Sequence, residues 1–306
     1  MGFIGSAIVK QLLKDSKHKI IVVDSLTYAG NMKNLQQEIS EIEFFKSDIR
    51  NRFEMEEIFS NRPIELVINC AGESHVDRSI KSARLFLETN ILGTQILLDA
   101  AIKFKTARFL QISTDEVYGS VTHGAANEKA FINPSSAYSA SKASAEHLVN
   151  AAYRTFGINT GIVRCSNNFG PRQHPEKLIP LIINRLLHGE KVPLYGSGLN
   201  VREWIYVEDC AEAISLIAFF GKPNHIYNVS SGFYLSNLEI TKLLLEKFNK
   251  GDEFISFIED RKGHDFRYAI DSSKIRKELN WNPKTQFEIG LNLTLDWYLD
   301  NLQVFK

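Results

Sequence analysis

Three things are missing from this 306-residue sequence: a surplus of charge, a close pair of cysteines and a secretory leader. Lysine plus arginine number 36 and aspartate plus glutamate also number 36, so the formal net charge is zero. Balanced charge gives no global pull toward nucleic acid or an anionic membrane, so an anionic ligand needs a local site. Cys70, Cys165 and Cys210 are far apart in sequence, which argues against a zinc site or a disulfide framework and suits a reducing cytosol. No histidine cluster suggests a metal. No apolar run approaches the ~20 residues that span a bilayer, and no charged stretch followed by an apolar one marks a signal peptide. Residues 1–6 fit the loose myristoylation pattern, but they also read as the opening of a helix.

What is present is alternation. Short β-branched runs at 19–24, 43–45, 66–70, 108–113 and 161–164 read as buried parallel strands. Helical patterns lie between them, at 53–59, 80–104 and 137–156, the second with Leu85, Ile91, Leu92, Ile96 and Leu97 on one face. Beyond about residue 165 prolines and glycines break the pattern into shorter pieces, with a helix at 209–220, a strand at 225–229 and a helical end from about 270. The expected fold class is α/β, a doubly wound parallel sheet of Rossmann type with a smaller, less regular substrate-binding cap. Residues 1–165, with 203–229 returning to them, form the expected dinucleotide-binding domain, and 166–202 and 230–306 the cap.

A dinucleotide site needs a strand, a glycine-rich turn and a helix whose N-terminus faces pyrophosphate. Here Gly2 and Gly5 supply the last two glycines, and the first strand is missing from the sequence. That strand pairs on both sides, and about ten ladder bonds at about 0.5–1.5 kcal/mol each rival the stability of a whole domain. Some eight to ten further residues upstream of Met1 are therefore expected, about one strand and a turn. Asp24 ends the next strand at the spacing from which a carboxylate accepts ribose hydroxyls and repels a 2′-phosphate, which favours NAD over NADP.

Ser113-Thr114-Asp115-Glu116 places polar groups at the carboxyl end of a buried strand, where this architecture puts its chemistry. Tyr138 and Lys142 stand at i and i+4, on one face of a helix. An ammonium near a phenol lowers the phenol's pKa and makes it a usable proton acceptor. These motifs resemble the extended, nucleotide-sugar branch of the short-chain dehydrogenase/reductase superfamily, and within it the dTDP-glucose 4,6-dehydratase family. The likeness runs through residues 24–31, 73–79, 88–90, 113–119, 138–142, 165–168, 175–180, 202–204 and 263–265. The Thr114-Asp115-Glu116 run is its most specific part.

The resemblance implies a three-step dehydration of a nucleotide-activated hexose. Tyr138 takes the 4-hydroxyl proton while hydride passes from C4 to NAD+, with Thr114 holding that oxygen. Glu116 removes the C5 proton, Asp115 as a neutral acid expels the 6-hydroxyl as water, and hydride returns to C6. One carboxyl must stay neutral while its neighbour is ionised, so their environments must separate their pKa values. The implied cofactor contacts are Gly2, Phe3, Ile4, Gly5, Asp24, Ser25, Thr27, Asp48, Ile49, Ala71, Glu73, Thr89, Tyr138, Lys142 and Asn168. The implied sugar-nucleotide contacts are Ser74, Thr114, Asn167, Lys177, Arg202, Asn237 and His264. The family's usual partner is a second copy, through the helices at 80–104 and 137–156. Against its pattern, Lys262 replaces a proline, Glu203 an aspartate and Cys210 a common histidine, and the 121–136 segment is short. An epimerase or decarboxylase would share Tyr138 and Lys142 without needing Asp115, and a non-catalytic module on the same fold would need neither.

Overall fold

The structure is a computed structural model and describes residues 1–14 and 17–305. The chain opens with α1 (Phe3–Leu13), β1 (Ile20–Asp24), β2 (Ile42–Lys46), α2 (Arg52–Ser60), β3 (Leu66–Asn69) and α3 (Val76–Lys81). Next, α4 (Arg84–Phe86), a π-helical stretch at Leu87–Gly93 and α5 (Thr94–Lys103) run as one helix, followed by β4 (Arg108–Thr114), a 3-10 turn at Asp115–Tyr118, α6 (Ala137–Phe156) and β5 (Asn159–Cys165). The second half holds β6 (Asn167–Phe169), α7 (Leu178–Leu187), β7 (Val192–Tyr195), β8 (Val201–Tyr206), α8 (Val207–Phe220), β9 (His225–Val229), β10 (Tyr234–Ser236), α9 (Asn237–Lys247), β11 (Ile255–Ile258), α10 (Ser273–Leu279) and α11 (Phe287–Asp300).

Six of the parallel strands form two ladders, apart from the parallel pairs β6–β8 and β7–β11. β3, β4, β5 and β9 pair in that order, and β1 pairs with β2. Among the described residues nothing bridges β1 and β3, so the expected single sheet is divided between them. β1 and β3 are edge strands of their ladders, and both line one large cavity.

Period-two alternation on β4 explains the layers. Leu110 and Ile112 face a core shared with α1 and α8, including Ile8, Ile214 and Ile217. Phe109 faces the opposite core, with Met55, Leu98, Ala101 and Val149 from α2, α5 and α6. At about 25 cal/mol per Å2 of apolar area removed from water, each such side chain contributes about 1.5–3 kcal/mol.

The helix Arg84–Lys103 has 20 residues and a window of mean hydropathy 1.3, long and apolar enough by composition to cross a membrane, which corrects the expectation that no run approaches that length. In the fold Leu97, Leu98, Ala100 and Ala101 are buried, while Arg84, Asp99 and Lys103 are ion-paired to Glu88, Arg52 and Glu56.

A separate core gathers Ile182, Ile183 and Leu186 of α7, Trp204 and Tyr206 of β8, Leu244 of α9, and Leu291 and Tyr298 of α11. Strands β6, β7, β8, β10 and β11 are additions to the sequence reading, and so are two helices, α7 and α9. Pro180 masks the first, yet it stands in the helix's first turn, where a missing N–H costs nothing. Ser236 and Glu239 cap the second reciprocally. The helical end also starts later than expected, because Ile270 bridges Ala126 before α10 begins at Ser273.

Candidate active site

Two capped segments aim the chemistry. β4 delivers Thr114 to the strand end, and the Thr114 Oγ1 accepts the Glu116 N–H at 3.3 Å, starting the tight turn that carries Asp115 and Glu116. Opposite, Ser136 and Ser139 cap α6 reciprocally, Ser136 Oγ accepting the Ser139 N–H at 3.1 Å, and this fixes the first turn, which holds Tyr138. Thr114, Asp115, Glu116, Tyr138 and Lys142 all line the same cavity of about 1660 Å3. The Thr114 side chain lies near enough to the Tyr138 phenol to favour its ionised form.

Burial and charge then divide the two carboxyls. Asp115 is 3 % exposed, and burial first, then the negative charges of Glu116 and Glu203, holds its pKa well above the usual carboxylate range. Its Oδ1 accepts Thr114 Oγ1 at 3.1 Å, and its Oδ2 has no partner among the described residues. Glu116 is also raised by burial, but Arg202, Lys177 and Arg261 oppose that shift. Asp115 is thus the neutral acid of the pair and Glu116 the carboxyl with cations to stabilise its charge.

The expected phenol–ammonium couple takes a different form. Lys142 Nζ donates to the Ile112 carbonyl at 2.6 Å, and burial lowers its pKa. Burial and the charge of Glu116 push the Tyr138 phenol up rather than down, while the neighbouring Thr114 side chain opposes them. Desolvation outweighs any field from Lys142 in this arrangement.

All fifteen residues expected at the cofactor line the cavity. A Cβ on Gly5 would lie 3.8 Å from the Cys70 Cβ, so the α1 entrance packs closely on the end of β3. At Gly30 a Cβ would come 2.7 Å from Asp24 Oδ1, so only glycine leaves that carboxylate its place. Asp24 Oδ1 accepts the Leu26 N–H at 2.7 Å, and its Oδ2 lies 3.1 Å from the Met1 ammonium. The buried Asn168 Oδ1 is unpartnered among the described residues. A helix N-terminus, a strand-end carboxylate and a free amide oxygen on one cavity fit a dinucleotide.

Of the expected substrate contacts, Ser74, Thr114, Asn167 and Lys177 line the cavity, and Arg202, Asn237 and His264 do not. Arg202 lies over the Tyr268 ring at 4.3 Å and donates only to backbone carbonyls, yet its charge reaches both Asp115 and Glu116. Lys177 Nζ donates to the Ser74 carbonyl at 2.9 Å. Neither cation has a carboxylate within ion-pairing distance among the described residues, an arrangement suited to an incoming anion. Asn237 begins α9, where its N–H binds the Asn200 carbonyl, and His264 is held by Asp260 at 2.7 Å.

Sequence reasoning passed over several residues here. Tyr28, Arg78, His174 and Glu176 line the cavity as one cluster, with Arg78 stacked 3.8 Å over the Tyr28 ring and 3.1 Å from Glu176. Asn90, in the π-helical stretch, accepts the Glu73 N–H at 2.9 Å and donates to Ser141 Oγ at 2.8 Å, tying the loop after β3 to α6. Their signal was available, since Tyr28, Arg78 and Asn90 lie inside the motifs at 24–31, 73–79 and 88–90.

The family profile described as GDP-mannose 4,6 dehydratase matches residues 1–294. The low-salt glycan biosynthesis protein Agl12 of Haloferax volcanii is 47% identical, over 97% of this chain and 96% of its own. The dTDP-glucose 4,6-dehydratase of Streptomyces antibioticus is 43% identical, over 98% of this chain and 90% of its own. The crystal structure of DesIV, a dTDP-glucose 4,6-dehydratase from Streptomyces venezuelae with NAD bound, matches with a TM-score of 0.96 and 42% identity, over 99% of this chain and 95% of that one. A profile that takes in nearly every residue and identities above 40% along both chains leave one assignment: the chain belongs to the GDP-mannose 4,6-dehydratase family.

Proposed function

We propose that this chain is an NAD-dependent nucleotide-sugar 4,6-dehydratase that converts dTDP-glucose to dTDP-4-keto-6-deoxyglucose. The reading rests on one observation: a neutral carboxyl and a cation-flanked carboxyl, adjacent in sequence, share a cavity with a phenol and a dinucleotide-type helix entrance. An epimerase has no use for the neutral acid.

NAD, when bound, supplies hydride acceptance at C4 and hydride return at C6. Gly2 to Gly5 at the α1 N-terminus would hold its pyrophosphate, and Asp24 a ribose. Once ionised, Tyr138 accepts the 4-hydroxyl proton, and the Thr114 hydroxyl holds that oxygen. The 4-keto group acidifies C5–H, and Glu116 takes that proton. Asp115 gives its proton to the departing 6-hydroxyl, which leaves as water; as hydride returns to C6 the proton held by Glu116 returns to C5, and the proton held by Tyr138 restores Asp115, so the net change is the loss of one water. Lys177 meets the diphosphate.

The helix Arg84–Lys103 leaves Leu85, Leu87 and Leu92 exposed, and α6 ends on exposed Phe156. These apolar surfaces support a homodimer through both helices, which sedimentation equilibrium checks. Three free thiols support a cytoplasmic setting.

Incubation with dTDP-glucose and NAD+ tests the function. The product is lighter by one water, and Tyr138→Phe and Glu116→Gln each slow its formation by about 10²-fold or more. An epimer of unchanged mass, or normal turnover in either variant, overturns the reading.

A further inference from the structure

The acid pair and the phenol belong to different elements, so their separation is set by whatever joins the β4 turn to α6. Four side chains do so out of sight of the cavity. Tyr118 closes the turn that carries Asp115 and Glu116. Its hydroxyl accepts Arg164 Nη1 at 2.7 Å and donates to Asn228 Oδ1 at 2.8 Å. The Arg164 Nε reaches both oxygens of Glu146, at 3.0 and 3.1 Å, and its guanidinium stacks 4.6 Å from the Tyr118 ring centre. Glu146 stands one helical turn beyond Lys142 and two beyond Tyr138 on α6. The Asn228 amide ends the chain by donating to the Ala126 and Asp271 carbonyls.

None of the four lines the cavity, and none is more than 5 % exposed. Stability alone is a poor reason for such a group. A buried arginine–carboxylate pair loses so much hydration that apolar side chains of like volume often match or exceed it. What a fully satisfied buried network does supply is one fixed geometry, since any shift leaves a charge unpaired in a low dielectric.

We propose that Tyr118, Arg164 and Glu146 are positioning residues that set the reach of the Asp115–Glu116 turn relative to Tyr138. This rests on the dehydratase reading above. Oxidation at C4 needs only Tyr138 and Thr114, whereas water loss needs the acid pair in register with the same sugar. Loosening the bridge therefore slows elimination more than oxidation.

Tyr118→Phe keeps the ring and removes the hydroxyl. The expected result is a fall in kcat of roughly tenfold to a hundredfold, the scale of a small misplacement, with KM for dTDP-glucose within about twofold, since no residue that meets the diphosphate moves. Rapid quench and mass spectrometry should find the 4-keto sugar that still carries its 6-hydroxyl, absent from the parent. Calorimetry should show unchanged dTDP binding, a readout independent of turnover. Glu146→Gln, which keeps the hydrogen-bonding shape, should give a weaker version of the same pattern. Val149→Ala, a buried truncation on α6 in the apolar core that takes no part in the hydrogen bonds of the bridge, controls for lost stability and should leave the product ratio at the parental value. Parental partitioning in Tyr118→Phe, or equal accumulation of the 4-keto sugar in Val149→Ala, overturns the proposal. If the parent itself never loses water from dTDP-glucose, the functional reading fails instead.

Discussion

Asp77 on α3 and Arg261 on the loop after β11 meet at 2.6 Å, joining the helix that follows β3 to the segment that carries His264. Tyr195 adds a hydrogen bond to the same carboxylate at 3.1 Å, beneath the Arg261 guanidinium. Arg261 has a second effect, because its charge is one of three that oppose the upward shift of Glu116. The two roles separate by mutation. Arg261→Gln removes the cation, so the Glu116 pKa rises further and activity is lost at higher pH as the solution is acidified. Asp77→Asn leaves the cation in place. It should loosen the half-buried join by about 1 kcal/mol, about fivefold in KM, without moving the acid limb. Profiles of kcat against pH for both variants check this, and coincident acid limbs would count against the assignment.

Asp115 makes an opposite claim at high pH. Its raised pKa means that the folded state holds a proton that the unfolded state gives up more readily. The stabilising contribution is fully present below the ordinary aspartate range and is lost as pH rises through the raised value. Asp115→Asn has no proton to lose. Its melting temperature relative to the parent should therefore climb with pH, while dehydration falls by about 10²-fold. A melting difference that stays flat across pH would mean that Asp115 is ionised in the fold.

The six strands β1 to β5 and β9 were legible because buried parallel strands are written as apolar runs, and the α6 boundaries because Ser136 caps one end and Gly157 turns left-handed at the other. The cofactor and acid-pair positions were legible through motif spacing, which carries over to a shared cavity whenever the strands end on one edge. Three features were not legible. The state of Tyr138 depends on desolvation by residues distant in sequence, so the i, i+4 spacing to Lys142 gave the wrong sign for its shift. The contribution of Arg261 depends on a loop folding back over the 3-10 turn. The cavity between β1 and β3 depends on pairings between segments distant in sequence.

Gly119 ends the turn that carries the acid pair, at φ 70 and ψ −159, a region open essentially to glycine alone. A Cβ there would lie 2.2 Å from the Asn133 carbonyl oxygen. That backbone cannot simply retreat, because the Asn133 N–H is bound to the Val117 carbonyl at 2.9 Å. Gly119→Ala thus meets torsional strain and a backbone clash together, and should cost about 3 kcal/mol or more. Relief requires unwinding the 3-10 turn, so dehydration should fall along with stability. Gly124 offers the comparison, since its φ is also positive, at 66, but a Cβ there meets nothing within 4 Å. Gly124→Ala should cost only the left-handed strain of about 1–2 kcal/mol and leave turnover intact. Urea midpoints and initial rates for the two variants decide the matter, because equal losses at both positions would mean that the Asn133 contact does not constrain the catalytic turn.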